Sequence, residues 1–329
     1  MVSLHHLPSL RVILHSMMSH PKTPLLLVYL TGSIGGASMA LAAEQEPGGL
    51  PAPRFSAEIG AGVEYDSNIS VEEVDRASNE SDYALTLDAN LEMRQDFSDT
   101  TELSLNYDYS QNKYNEFSQV DRQTHILGSD LAFKIRGLDS GLSGYYINSR
   151  LDGSKFLELY RLSPSVSGFL SKKWFARGAY VYSDKSIESN SERDAQTHAG
   201  EADLYFFRRG LRSYFNFGYR FKDEDAESDK LDYSSNSIKI RYVHRLDIWS
   251  RLAKLELSWR YEDRNYSSDT PSIGEERDDN RHRWRADVEM PLIGQSAIQI
   301  YYGYSDYDSN LPASDYTQAI VGSRVTYRW

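Results

Sequence analysis

Lys254-Leu255-Glu256-Leu257-Ser258-Trp259-Arg260-Tyr261-Glu262 alternates polar and apolar residues at every step, and that period of two decides the fold. On an extended strand successive side chains point to opposite faces. Leu255, Leu257, Trp259 and Tyr261 therefore make one apolar face, and Lys254, Glu256, Ser258, Arg260 and Glu262 make a strongly charged one. The same division sets Leu103, Leu105, Tyr107 and Tyr109 against Glu102, Ser104, Asn106 and Asp108. It also sets Phe215, Phe217, Tyr219 and Phe221 against Asn216, Gly218, Arg220 and Lys222. Segments of about ten residues with this alternation, separated by turn residues, are the signature of a transmembrane barrel. A soluble sandwich alternates too, but its loops do not sort by length as these do.

From Arg54 onward the pattern predicts strands over 55–65, 83–97, 102–112, 124–135, 141–149, 157–170, 174–184, 198–207, 212–222, 233–245, 253–265, 281–290, 297–305 and 316–329. The fold class expected is all-β, an integral outer-membrane antiparallel β-barrel of about fourteen strands, an even number as bacterial barrels require. Connections are short at Ser98-Asp99-Thr100, Gly137 to Ser140, Lys172-Lys173, Arg208 to Gly210, Asp247 to Ser250 and Gly294 to Ser296, with long polar ones strictly between them. Short turns belong to the periplasm and long loops to the outside, which predicts periplasmic N- and C-termini for the barrel. The closing segment Ser323-Arg324-Val325-Thr326-Tyr327-Arg328-Trp329 ends on an aromatic residue, with Tyr327 and Val325 two and four before it. That pattern resembles the terminal strand that outer-membrane barrels present to the barrel assembly machinery of Gram-negative bacteria, so Val325, Tyr327 and Trp329 are read as an assembly signal. Tyr65, Tyr83, Tyr109, Tyr182, Tyr261, Tyr302 and Tyr304 fall toward strand ends, where an amphipathic ring suits the lipid interface.

Residues 23–43, TPLLLVYLTGSIGGASMALAA, follow Lys22 and close on Ala40-Leu41-Ala42, which predicts a secretory signal peptide cleaved after Ala42 or Ala43. Gly32, Gly35 and Gly36 interrupt the run, and no charged stop follows it, against a membrane anchor. The segment before it carries four His and one Arg, and translation starting at Met17 or Met18 stands beside a start at Met1. The organisation expected is a signal peptide over 1–43, a flexible periplasmic lead-in over 44–53 (EQEPGGLPAP) and the barrel over 54–329.

Composition agrees: 24 Tyr against 6 Met favours amphipathic strands over a helical core. No Cys is present, which excludes disulfides, thiolate metal sites and a catalytic thiol. The formal charge of −12 becomes −14 when Arg11 and Lys22 leave with the leader, and so acidic a chain is not built for nucleic acid. The partners expected are outer-membrane lipid and lipopolysaccharide, the assembly machinery and a separate periplasmic secretion partner.

Enzymatic barrels place His and Ser, or Asp and His, two residues apart on one strand face so that the pair can share a proton. Here the histidines sit in Thr124-His125-Ile126, Thr197-His198-Ala199, Val243-His244-Arg245 and Arg281-His282-Arg283, none with Ser two residues later. They are read as polar strand residues, and no catalytic residue, cofactor or dedicated metal site is expected. The acidic runs Asp223-Glu224-Asp225 with Glu227 and Asp229, and Glu275-Glu276 with Asp278-Asp279, lack the Gly-punctuated spacing of a calcium loop and are read as solvated outer loops.

Function is then expected in the bore. Fourteen strands ~4.8 Å apart and tilted ~40° close to a radius on the order of 14 Å. By parity Glu58, Glu64, Asp88, Glu92, Glu102 and Asp108 line one arc, and Arg220, Lys222, Lys239 and Arg241 line the opposite one. Opposed arcs give a transverse field that orients polar solutes; the alternative is that these charges pair along the wall or across a plugged bore. A channel for polar solutes or an exported polymer is the first reading, a translocator of surface lipoproteins or other proteins the second, and an outer-membrane enzyme or adhesin the third.

Glu64-Tyr65-Asp66-Ser67-Asn68, Tyr304 to Pro312 (YSDYDSNLP) and the closing VTYRW look like the C-terminal barrel domain of the surface lipoprotein assembly modifier family and of related secretion barrels. The resemblance covers Arg54 to Trp329. It implies a translocating barrel; family members carry a helical repeat domain ahead of it, whereas here the lead-in Glu44 to Pro53 precedes the strands, which implies a separate periplasmic partner for capture.

Overall fold

The computed structural model describes residues 50–329, so the leader, its cleavage site and residues 44–49 lie outside the described residues. The strands are β1 (Arg54–Asp66), β2 (Ser70–Val71), β3 (Arg76–Ala77), β4 (Asp82–Ser98), β5 (Thr101–Tyr114), β6 (Arg122–Ile135), β7 (Leu138–Leu151) and β8 (Ser154–Ser171). They continue as β9 (Trp174–Ile187), β10 (Ala195–Phe207), β11 (Ser213–Ala226), β12 (Tyr233–Ile248), β13 (Arg251–Thr270), β14 (Glu275–Pro291), β15 (Ser296–Ser309) and β16 (Tyr316–Arg328). Fourteen of them close into one barrel, each paired antiparallel with its neighbours and β16 returning to β1; β2 and β3 form a small hairpin of their own in the loop between β1 and β4. Every strand read from the alternation is present.

The outer face is apolar and bare. Ile59 and Val63 on β1, Leu85 and Leu91 on β4, Leu257 on β13 and Val321 and Val325 on β16 are all exposed. A surface of that extent is incompatible with water and matches hydrocarbon. Aromatic rings flank it, with Tyr65 tilted against Tyr83 and Trp284 against Tyr304.

The strands run further than alternation alone predicts. β13 has 20 residues, which at ~3.3 Å rise and ~40° tilt spans about 50 Å, twice the ~25 Å apolar band. The excess stands at the loop end, where outward positions carry Asp223, Asp263, Asp278 and Asp306. Both acidic runs read as outer loops are therefore mostly strand: Asp223-Glu224-Asp225 closes β11 and Glu275 to Asp279 opens β14. Carboxylates that alternate between bore and water break no pairing, so their density does not signal a loop. The strict alternation of short and long connections also fails twice. Asp152 (φ +48°) and Gly153 (φ +72°) make a two-residue turn between β7 and β8, and a short turn at 271–274 ending in Gly274 (φ +74°) joins β13 to β14. An Asp-Gly pair with both φ positive is the hairpin turn that matches strand twist.

Both ends of the barrel meet at the short-turn end. Trp329 N–H donates to the Ala57 carbonyl at 3.0 Å and Ala57 N–H to the Trp329 carbonyl at 3.1 Å, closing the seam. Val325, Tyr327 and Trp329 are exposed on its outer side. Deleting Trp329, or placing charged residues at Tyr327 and Trp329, removes seam hydrogen bonds or lipid-facing rings. We expect several-fold less heat-modifiable, folded protein in outer-membrane fractions; undiminished insertion would count against an assembly role for this strand.

Candidate functional site in the bore

The ladder puts Glu58, Glu64, Asp88, Glu92, Glu102 and Asp108 on β1, β4 and β5, and Arg220, Lys222, Lys239 and Arg241 on β11 and β12, all on the face opposite the exposed apolar row. β11 lies seven strands from β4 in either direction, so the two groups sit on opposed walls. Each also has polar partners on its own side. Glu58 meets Arg328, the Tyr301 hydroxyl donates to Glu64 at 2.8 Å, and Arg324 to Asp88 at 2.8 Å. Glu92 accepts from Arg94 at 2.9 Å and Ser104 at 2.8 Å. Arg54 reaches Glu102 at 3.4 Å, and Asn106 donates to Asp108 at 2.8 Å. On the other wall Arg220 faces Glu201 at 3.7 Å, Lys222 faces Glu224 at 3.0 Å, Lys239 faces Asp203 at 3.2 Å and Arg241 faces Glu256 at 3.6 Å.

The densest charge cluster is one that alternation did not single out. The loop between β1 and β4 turns inward. Its base is tied by Asn68, whose side chain donates to the Thr317 carbonyl at 2.9 Å and accepts from the Asn79 N–H at 2.9 Å. Ile69 N–H donates to the Glu80 carbonyl, and Ser78 N–H to the Ile69 carbonyl, both at 2.9 Å. The hairpin of β2 and β3 then carries a 3-10 turn, Glu72–Val74, ended by Asp75 at φ +50°. Val71 and Val74 pack on Phe156, Leu157 and Ile187 of β8 and β9, almost half the ring away from β1.

Three carboxylates of this loop are held by arginines from three directions. Arg122 on β6 makes two hydrogen bonds to Glu73, at 2.9 and 2.7 Å. Asp75 accepts from Arg277 at 3.0 Å and Arg281 at 3.2 Å, both on β14, and from Arg193 of the β9–β10 loop at 2.8 Å. Glu72 pairs with Arg283 and lies 3.6 Å from Arg281. Asp279 orients the pair beneath, accepting from Arg277 at 2.8 Å twice and from Arg281 at 2.8 Å. Arg277 and Arg281 are each only 2% exposed and lie over the rings of Tyr266 and Tyr307. Burial alone would raise the loop carboxyls, but the guanidiniums outweigh it: Arg122 brings Glu73 down to about 2, and Arg277, Arg281 and Arg193 hold Asp75 well below the carboxylate range. The readable signal was parity: Arg277, Arg281, Arg283 and Arg285 share one face, opposite Trp284.

An apolar layer, also unforeseen, occupies the short-turn end of the bore. Phe175, Tyr205, Phe207, Tyr214 and Val243 are buried together, with Phe169 and Leu211 packed on them.

Among the described residues the histidines face outward among the aromatic rings. His125 Nδ1 is 2.8 Å from the Tyr107 hydroxyl, and His282 lies 4.8 Å from the Tyr261 ring and 5.4 Å from Trp284. His198 stands across the ladder from Asp223 and His282 from Asp306, on the lipid-facing side and toward the loop end. Among the described residues no group of three or more His, Asp or Glu is placed to hold a metal ion. What the arrangement can do chemically is bind anionic groups in the bore.

A sequence model of the surface lipoprotein assembly modifier family matches residues 59–324. No curated protein matches the chain by sequence. Among solved structures it is similar to OmpT, an outer membrane protein of Vibrio cholerae folded in vitro, with a TM-score of 0.51, 9% identity, 84% of this chain and 97% of that one covered. The trimer form of that protein gives 0.50, 10%, 85% and 100%. CdiB from Acinetobacter baumannii gives 0.47, 10%, 83% and 60%. The likeness to OmpT at such low identity is one of fold. Closed barrel, apolar girdle and family match agree on an outer-membrane protein of a Gram-negative bacterium. The family match runs from within β1 to within β16, and the chain belongs to the surface lipoprotein assembly modifier family.

Proposed function

We propose that this barrel moves lipoproteins through the outer membrane to the cell surface, without enzymatic chemistry, and that its own loop holds the bore shut at rest. The observation that carries the reading is the loop between β1 and β4: its carboxylates bind β6, β14 and the β9–β10 loop at once, and its valines pack on β8 and β9. A translocator must be closed until cargo arrives, because an idle bore on the order of 14 Å in radius leaks. With short turns in the periplasm, as in other bacterial barrels, cargo enters from the end where β1 begins and β16 ends, delivered by a periplasmic partner. The acidic wall of Glu58, Glu64, Asp88, Glu92, Glu102 and Asp108 and the basic wall of Arg220, Lys222, Lys239 and Arg241 then line the path.

Two measurements test this. The purified, heat-modifiable wild type in a planar bilayer is expected to give no steady current. In cells, an outer-membrane lipoprotein is expected to become protease-accessible only when this chain is present. A steady ohmic current from the wild type, with lipoprotein exposure indifferent to the chain, would overturn the proposal.

A further inference from the structure

We propose that the arginine cradle on β6, β14 and the β9–β10 loop is a binding site for an acidic segment of the translocated polypeptide, and that Glu72–Asp75 is its resident surrogate. This rests on the translocator reading and specifies what opens the bore. Five guanidiniums, those of Arg122, Arg193, Arg277, Arg281 and Arg283, face three loop carboxylates and the wall carboxylate Asp279. With the loop seated the cradle carries one positive charge in excess; with the loop withdrawn it carries four. Arg260 adds to the excess. It stands directly across the ladder from both Lys239 and Arg283, and among the described residues no carboxylate lies within ion-pair distance of it. Like charges directly opposite on neighbouring strands repel. Arg277 and Arg281 are nearly fully buried, so withdrawing the loop without a substitute leaves uncompensated buried charge. The loop therefore leaves by exchange, when another anion takes its place.

The geometry specifies that anion. The cradle spreads its donors over two walls and the mouth, matching carboxylates at positions i, i+1 and i+3 of a single turn. One small anion satisfies one arginine pair; an acidic peptide turn satisfies all of them. Arg281 Nε and Nη1 and Arg283 Nε are buried and make no hydrogen bond even with the loop in place, so the site has donors in reserve.

The test uses the full chain lacking Ile69–Ser78, with Asn68 joined to Asn79, and in parallel an intact-length variant carrying Glu72→Gln, Glu73→Gln and Asp75→Asn. The probe is a synthetic peptide of the sequence Ser70 to Arg76. Added at the loop end in a planar bilayer, it is expected to block the current of both variants at least tenfold more strongly than a peptide with Gln, Gln and Asn at the acidic positions. Arg277→Gln with Arg281→Gln is expected to abolish the difference, and 1 M salt to weaken the block. Equal block by both peptides, no block by either, or equal competition by inorganic phosphate at the same concentration would each overturn the acidic-segment site. Failure here leaves lipoprotein exposure in cells untouched, and failure of that exposure leaves peptide block untouched, so the two proposals fail separately.

Discussion

Glu72→Gln, Glu73→Gln and Asp75→Asn together are expected to convert a silent barrel into one that conducts steadily, the largest functional change that three isosteric substitutions can make here. The loop is held by buried pairs, with Asp75 and Arg277 only 6% and 2% exposed at the side chain. Removing one partner of a buried pair costs about 3–5 kcal/mol, because the other charge stays buried and unmatched. Shifting a two-state equilibrium from 1:99 to 99:1 needs roughly 5.5 kcal/mol, so the loss of two such pairs suffices to release the loop. The contacts of Val71 and Val74 with Phe156, Leu157 and Ile187 oppose release, but two valines contribute only about 3–6 kcal/mol at most. In the opened variant, neutralising Asp88 and Glu92 leaves Arg324 and Arg94 unmatched and moves selectivity toward anions. Neutralising Arg220 and Lys239 does the opposite: Glu201 keeps Arg161 and Arg177, and Asp203 keeps Arg177, but that wall loses two cations. A triple variant that stays silent, with its fold verified, would mean that the loop does not close the bore.

Acid acts on the same contact with a definite sign. The carboxyl of Glu73 falls from an ordinary 4.5 to about 2 when the loop is seated, so its contribution is fully present above about 4.5 and is lost as pH falls through about 2. Asp75 and Glu72 are lowered as well, Asp75 chiefly by Arg277 and Glu72 by Arg283 against the opposing effect of burial. Mild acidification from pH 7 to 5 is therefore expected to leave the wild type shut, with current appearing only near pH 3 and below. Opening between pH 7 and 5 would place control in some group other than these carboxyls.

Parity was legible in the sequence and partnership was not. Leu257 out and Glu256 in follow from a period of two that one segment displays by itself. The strand ends were misjudged where both faces are polar, as at Asp223 to Ala226 and Glu275 to Asp279, because beyond the apolar band alternation has no contrast to read. The loop was hidden for a different reason. Ser70-Val71-Glu72-Glu73-Val74-Asp75 has no pattern that names a partner, and those of Asp75 lie 202 residues away at Arg277 and 118 away at Arg193. Nothing in a chain so rich in charge marks which carboxylate seeks which guanidinium. The row Arg277, Arg281, Arg283 and Arg285 shares its face with the carboxylate Asp279, and that excess of cations on one face is what calls for further anions such as those of the loop.

Leu257→Arg is expected to cost far more stability in lipid than Glu256→Arg, although the two positions are adjacent and the introduced residue is the same. Leu257 is 42% exposed on the outer face, in a shallow apolar groove with Ile240, Trp259, Trp284 and Tyr302. An arginine there meets hydrocarbon, at about 2–4 kcal/mol near the bilayer midplane and less toward either interface. Glu256 faces the bore beside Lys254 at 2.9 Å and Arg241 at 3.6 Å. Reversing its charge sets three cations side by side, with Arg241 only 15% exposed and Lys254 37% exposed at the side chain, but their heads border the bore and can turn toward its water, which a side chain in hydrocarbon cannot do. Glu256→Gln removes the attraction without adding repulsion and is expected to be nearly neutral. Equilibrium unfolding by urea from phospholipid vesicles separates the cases: the midpoint should fall strongly for Leu257→Arg, slightly for Glu256→Arg and hardly at all for Glu256→Gln. If both arginine substitutions lowered it equally, the division of β13 into a lipid face and a bore face would be wrong, and the placement of every charge assigned to the bore would go with it, since the register of one strand fixes the register of the next.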